Sequence, residues 1–147
     1  MNLFGMMDIS ASALQAERVR AEVVAANMAN SETTRTADGG PYRRQHVVFQ
    51  TTESDGFAAS LLGTGFRSST AAGGVQVAGV LSDQSAPLER YDPQHPDAGP
   101  DGYVAYPDIN PLTEMVDLMG ASRSYGLNAT AVQAEKNMVA SSLEILK

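Results

Sequence analysis

The sequence predicts an α+β chain. Long N- and C-terminal helices pack as a coiled-coil-like pair, with a small β-rich middle domain between them. Three observations carry this expectation. Apolar residues recur every seventh position near both ends. Short runs in the middle alternate and are rich in β-branched residues. Gly and Pro cluster between those runs. The expected boundaries fall at residues 1–33, 34–108 and 109–147.

The C-terminal stretch, residues 110–147, organises the rest. Asn110 can cap free amides, and Pro111 fits the first helical position, where no amide proton is needed. Glu114 and Asp117 follow near the positive end of the helix dipole. Leu118, Tyr125, Val132, Val139 and Leu146 form a heptad stripe. Met115, Ser122, Ala129, Lys136 and Leu143 interleave with it. Leu112, Val116, Met119, Leu127, Met138 and Ile145 lie off that seam, so the helix is apolar over a broad arc. A helix of this length spans roughly 55 Å. A two-helix hairpin cannot bury the whole arc, and exposed apolar area of this kind marks an interface. Gly120 and Gly126 interrupt good helix formers, and a bend is expected near Gly126.

The N-terminal stretch, residues 3–30, repeats the pattern with smaller side chains. Met7, Leu14, Ala21 and Met28 fall seven apart, with Ala11, Arg18 and Ala25 between them. Arg18 in such a seam needs a carboxylate or a wet edge, because an unpaired buried charge is costly. Asn27 and Asn30 close the helix, with Asn30 able to take the left-handed conformation.

Residues 31–41 read as a polar, Gly-containing loop. Residues 42–52 read as a strand, followed by an exposed loop over 53–72 that is rich in Ser, Gly and Ala. Residues 75–81 form a second strand, 88–91 a short third and 102–106 a fourth. The Pro- and Asp-rich residues 92–102 form an irregular loop between the last two.

Composition excludes several functions. With 147 residues, 6% aromatics and no Trp, the chain builds only a thin core. The formal net charge of −7 argues against nucleic-acid binding. Cysteine is absent, which rules out disulfides, thiolate nucleophiles and zinc–thiolate sites. No run approaches the roughly 20 apolar residues of a membrane span. Residues 1–8 lack the basic start and apolar core of a cleavable signal peptide, so export would use a route without one.

Candidate chemistry is sparse. His46 and His95 are the two histidines, and the acids near His95 match no zinc or calcium spacing. An exposed turn histidine is the simpler reading. No Gly-x-Ser-x-Gly elbow occurs, and the Gly pairs lack the Lys of a phosphate loop. Asn128 heads a formal glycosylation sequon but lies mid-helix, where chance explains it. Neither catalysis, a metal nor a cofactor is expected.

Two segments resemble the bacterial flagellar axial (rod and hook) protein family. Residues 106–119, Tyr-Pro-Asp-Ile-Asn-Pro-Leu-Thr-Glu-Met-Val-Asp-Leu-Met, continuing through Ala121 to Tyr125, resemble its C-terminal signature. Residues 13–30 followed by Thr33-Thr34 resemble the N-terminal rod signature. Gly40-Pro-Tyr-Arg-Arg44 with Val47-Val-Phe49 is closer to one branch of that family than to the other rod proteins.

The resemblance implies a structural subunit of the proximal rod, exported unfolded by the flagellar type III apparatus. Its terminal helices would bundle with those of neighbours around the export channel. Implied partners are other rod proteins, the adaptor joining the rod to the membrane ring, and further copies of itself. No nucleic acid, membrane insertion or small-molecule substrate is implied. The expected assembly residues are Met7, Leu14, Ala21, Ala25, Asn27, Met28, Asn30, Asn110, Pro111, Leu112, Met115, Leu118, Met119, Tyr125, Val132, Val139, Leu143 and Leu146. The alternatives are another rod protein of the family, or a secreted helical-hairpin binding module or export chaperone.

Overall fold

The computed structural model describes residues 3–37, 39–52 and 73–145. Its order is α1 (Leu3–Ala29), β1 (Gln45–Thr52), β2 (Gly74–Ser82), β3 (Leu88–Tyr91), β4 (Tyr103–Tyr106) and α2 (Pro111–Ile145). This is the predicted α+β layout, with two long terminal helices and small antiparallel sheets between them. The loop expected over 53–72 lies outside the described residues.

α2 starts where the Asn-Pro pair predicts. The Asn110 side chain accepts the Leu112 amide at 3.0 Å, and the Asn110 carbonyl accepts the first helical bond from Glu114. The helix continues through Gly120 and Gly126 without a break for 35 residues, about 52 Å. At the end of α1, no non-Gly residue has positive φ, so the left-handed cap expected of Asn30 does not form. Its side chain instead donates to the Ala26 carbonyl at 2.9 Å, satisfying the helix end directly.

The helices are antiparallel. Asn27 meets Glu114, and Arg20 approaches Asp117, so contacts step back along α1 as they advance along α2. α2 is longer than α1 by eight residues (35 against 27), or about 12 Å. Its late residues Ser141 to Glu144 are accordingly exposed.

α1 also carries the β1–β2 hairpin. Gln45 lies opposite Ser82 and Thr52 opposite Gly74, with a bulge after Val48 that leaves Ala78 unpaired. A two-stranded sheet is marginal alone and needs a helix against it. Two polar α1 side chains supply anchors at its ends. Asn27 bonds the backbone of Gln45, and Ser12 accepts the Val75 amide at 3.0 Å. The 15 residues between Ser12 and Asn27 span about 22 Å of helix, the length of a seven- to eight-residue strand.

Gly74 permits this close approach. A Cβ there would fall 2.9 Å from Ser12 Oγ. Gly74→Ala is expected to destabilise the fold by about 1–2 kcal/mol, measured as a lower urea midpoint at unchanged slope.

The second sheet pairs Leu88 with Tyr106 and Tyr91 with Tyr103. The two tyrosines of the latter pair stack edge to face at 5.3 Å. Gly102, at φ +76°, lets the loop turn under the Tyr91 ring. Asp97 ties this unit back, accepting from Thr34 at 2.8 Å and lying 3.6 Å from Arg35.

Candidate assembly interface

The helix seam is built differently from the heptad reading. Leu118, Val132 and Val139 do turn toward α1 and are partly buried. Between them sit Glu114, Ala121, Asn128 and Glu135, again seven apart, of which Glu114, Ala121 and Glu135 are buried. The expected interleaving set, Met115, Ser122, Ala129, Lys136 and Leu143, is exposed instead. That set lies one residue further along the helix, and one residue turns a side chain by about 100°. Tyr125, expected in the main stripe, is 45% exposed.

On α1, Met7, Leu14, Ala21 and Met28 are partly buried, while Ala11, Arg18 and Ala25 are exposed. Ser10, Ala16, Val24 and Asn27 take the buried positions. Arg18 finds both things its charge needs, a wet edge and the Glu22 carboxylate at 2.9 Å. That carboxylate holds its guanidinium protonated beyond the ordinary arginine range.

A polar cluster closes the base of the seam. Glu114 is 1% exposed, and Arg44 Nε donates to its Oε1 at 2.6 Å. Asn27 Nδ2 donates to Glu114 Oε2 at 3.1 Å and to the Gln45 carbonyl at 2.9 Å. Asn27 Oδ1 accepts the Gln45 amide at 2.9 Å and the Tyr42 hydroxyl at 3.2 Å. Burial, reinforced by Glu114, pushes the Tyr42 phenol above its usual range. Asp117 lies 3.8 Å from Arg44 and 3.7 Å from Arg20.

One buried carboxylate therefore joins the end of α1, the entry to β1 and the first turn of α2. This explains why β1 begins at Gln45 and not at Tyr42. Ahead of it, the Tyr42 amide donates to the Thr33 carbonyl, the Tyr42 hydroxyl to Asn27 and the Arg44 guanidinium to Glu114. No residue pattern announces this cluster, because Arg44 and Glu114 are 70 positions apart. Glu135 is a second buried carboxylate in the seam, and among the described residues its Oε2 accepts no hydrogen bond.

The outward side of α2 is apolar, as the broad arc predicts. Leu112 is 69% exposed and Met119 60%, and Met115, Val116, Leu127, Met138 and Leu143 are also exposed. An added Cβ at Gly120 or Gly126 would meet nothing within 4 Å. Asn110 and Pro111 are exposed at the helix start, and Asn30 is partly buried at the end of α1. Leu146 and the Ile145 side chain lie outside the described residues. Among the described residues, no group of three potential metal ligands converges, and no helix is long and apolar enough to cross a membrane. His95 accepts the Asp97 amide in its turn and packs against Tyr106.

Comparison with known proteins bears on this arrangement. Residues 7–35 match the family model described as "Flagella basal body rod protein". Residues 101–145 match "Flagellar basal body rod FlgEFG protein C-terminal". The chain is 42% identical to the flagellar basal-body rod protein FlgC of Bacillus subtilis, covering 100% of both chains. The chain belongs to the FlgC family. Its identity to FlgC of Borreliella burgdorferi is 37%, over 100% of this chain and 99% of that one. Against FlgC of Salmonella typhimurium it is 37%, over 99% and 98%. FlgC-family chains are structural components of the flagellar basal-body rod. The two matched regions contain the paired helices, including the Asn27 and Glu114 ends of the polar cluster.

Proposed function

We propose that the chain is a subunit of the proximal rod, the drive shaft of the flagellum, and that the outward face of α2 is its assembly surface. The supporting observation is the run of exposed apolar residues at 112, 115, 116 and 119, one to two turns of helix that α1 does not cover. Exposed apolar area of this extent gains most by burial against a neighbour. Helices from many subunits would then bundle around the export channel. The rooted β1–β2 hairpin and the β3–β4 unit would project from that tube.

The residues expected at the assembly surface divide in two on this reading. Leu112, Met115, Met119, Tyr125 and Leu143 face neighbours. Leu118, Val132, Val139, Met7, Leu14, Ala21 and Met28 hold the helix pair that presents them. Asn27 and Asn110 set the helix ends, and Ala25 lies on the outward side of α1. Expected neighbours are other rod proteins, the adaptor joining the rod to the membrane ring, and copies of this chain. The role is mechanical, without catalysis or a cofactor, and export proceeds through the flagellar apparatus.

Deleting the gene tests this reading. The expected result is flagella that stop at the membrane ring, restored by the intact gene. Complete rods in the deletion strain would overturn it.

A further inference from the structure

Asn27 does more than anchor the hairpin. Its Nδ2 donates to the Gln45 carbonyl at 2.9 Å, and its Oδ1 accepts the Gln45 amide at 2.9 Å. A residue of a neighbouring antiparallel strand makes the same paired bonds. Asn27 therefore stands in for one rung of a third strand on the outer edge of β1. One residue earlier the backbone points the other way, with the Arg44 carbonyl accepting the Asp83 amide at 2.7 Å. Backbone groups alternate sides along a strand, so Val47 and Phe49 aim their amides and carbonyls at the same outer edge as Gln45. Among the described residues β1 pairs with β2 alone, and no strand continues the ladder past Asn27.

The other edge of the hairpin is closed. On β2, Ser12 takes the outward Val75 amide, and the bulge at Ala78 interrupts the register. Bulges, prolines and lysines are the usual means of blunting an edge. From Val47 to Thr51, β1 has none of the three. α1 passes from the β2 edge at Val75 to the β1 edge at Gln45, and this diagonal leaves β1 bare beyond Asn27.

A groove of about 360 Å³ lies beside the bare edge. Val23 and Val24 of α1 and Val47 and Phe49 of β1 line it, and no β2 residue does, which places it on the outer side of β1. Its charged lining is Arg20, Arg44, Glu114 and Asp117, two of each sign. The carboxylates nearest Arg20 are 3.7 and 3.8 Å away, beyond hydrogen-bond length, so its N–H groups remain open to a further acceptor.

We propose that this edge is a docking slot for one extended segment of another protein, added to β1 as a third strand. Backbone bonds to Val47 and Phe49 hold the segment, and the valines of α1 receive its side chains. The part in the groove is uncharged, because the two arginines and two carboxylates already neutralise each other and leave no counter-ion for another charge. A second copy of this chain does not fit as donor. Paired antiparallel, its hairpin would bring its own α1 to the place where α2 already stands, and its β3 carries Glu89 and Arg90. The slot is separate from the outward face of α2 and does not depend on the role given to that face.

Hydrogen exchange on the purified chain tests whether the edge is open. The Val47 and Phe49 amides should exchange at least ten-fold faster than those of Val48 and Gln50, which point toward β2. Equal rates would overturn the proposal. Photo-crosslinking in cells then tests the occupant, with p-benzoylphenylalanine at Phe49 or Thr51 of the full chain as the only copy. Cross-links from the two positions are expected two residues apart on one segment of another protein, the step of a paired strand. A helical step of three or four, capture of a second copy, or no cross-link would overturn it.

Val47→Pro removes an outward amide and no bond to β2, and should cut the yield from position 49 at least five-fold. Val47→Lys keeps the backbone and puts a charge at the slot, and should do the same. Unchanged yield in the lysine variant would overturn the proposal even where the proline variant folds poorly.

Discussion

Arg44→Leu is expected to lower the stability of the free chain by about 3 kcal/mol. Glu114 is buried, and Arg44 gives it a hydrogen bond from Nε at 2.6 Å, the only cationic one it takes among the described residues, and an ion pair from Nη2 at 2.5 Å. Removing one member of a buried pair leaves an uncompensated charge, which costs about 3–5 kcal/mol. Arg44 is itself 27% exposed in its side chain, so water can reach the site and the lower end applies. Asn27 remains to donate one bond, yet a single neutral donor replaces little of a guanidinium.

The companion substitution separates charge from shape. Arg44→Leu with Glu114→Leu should recover most of the loss, because both desolvated charges are then gone. Chemical unfolding followed by circular dichroism gives both values. Equal losses for the single and the double variant would show that the pair is not the source of the effect. The cluster also predicts that helices and hairpin melt together, since Glu114 and Asn27 join all three.

Leu112→Asp combined with Met119→Asp is expected to abolish rod assembly while leaving the subunit folded. Both side chains are more than half exposed. Surface changes of this kind shift stability by about 0.5 kcal/mol or less. At an apolar contact between subunits, the same two carboxylates would have to be buried without partners, at several kcal/mol each. Full motility with these two changes would move the assembly surface elsewhere. Leu118→Asp provides the contrast, because that side chain faces α1 and its loss should unfold the pair before assembly is reached.

The two terminal helices and four strands were legible in the sequence because they rest on local signals. Asn110-Pro111 starts α2 at the predicted residue, and alternation around Val47 and Val77 marks the first hairpin. The heptad phase was legible only in part. Leu118, Val132 and Val139 are apolar and found their seam. Its other half is made of Glu114, Ala121, Asn128 and Glu135, which an apolar template passes over in favour of Met115 and Leu143. A polar seam residue gains its place from a specific partner, and that partner can be far along the chain.

Arg44 and Glu114 show this most plainly. Each reads alone as a surface charge, and only folding brings them together. Asn27 was expected at the helix end, yet its bond to Gln45 depends on a strand 18 positions away. The outward apolar arc, by contrast, was readable directly, because it consists of what one helix cannot cover. The same arithmetic left Leu112, Val116 and Met119 exposed among the described residues.

Oxidative footprinting of methionine tests the central claim most directly. Met115, Met119 and Met138 are all exposed in the free chain, at 49%, 60% and 50%. Purified chain and isolated rods would be exposed to the same brief pulse of hydroxyl radical and compared peptide by peptide. The account predicts fast oxidation of Met115 and Met119 in the free chain and at least ten-fold slower oxidation in rods. Equal rates in the two samples would contradict it.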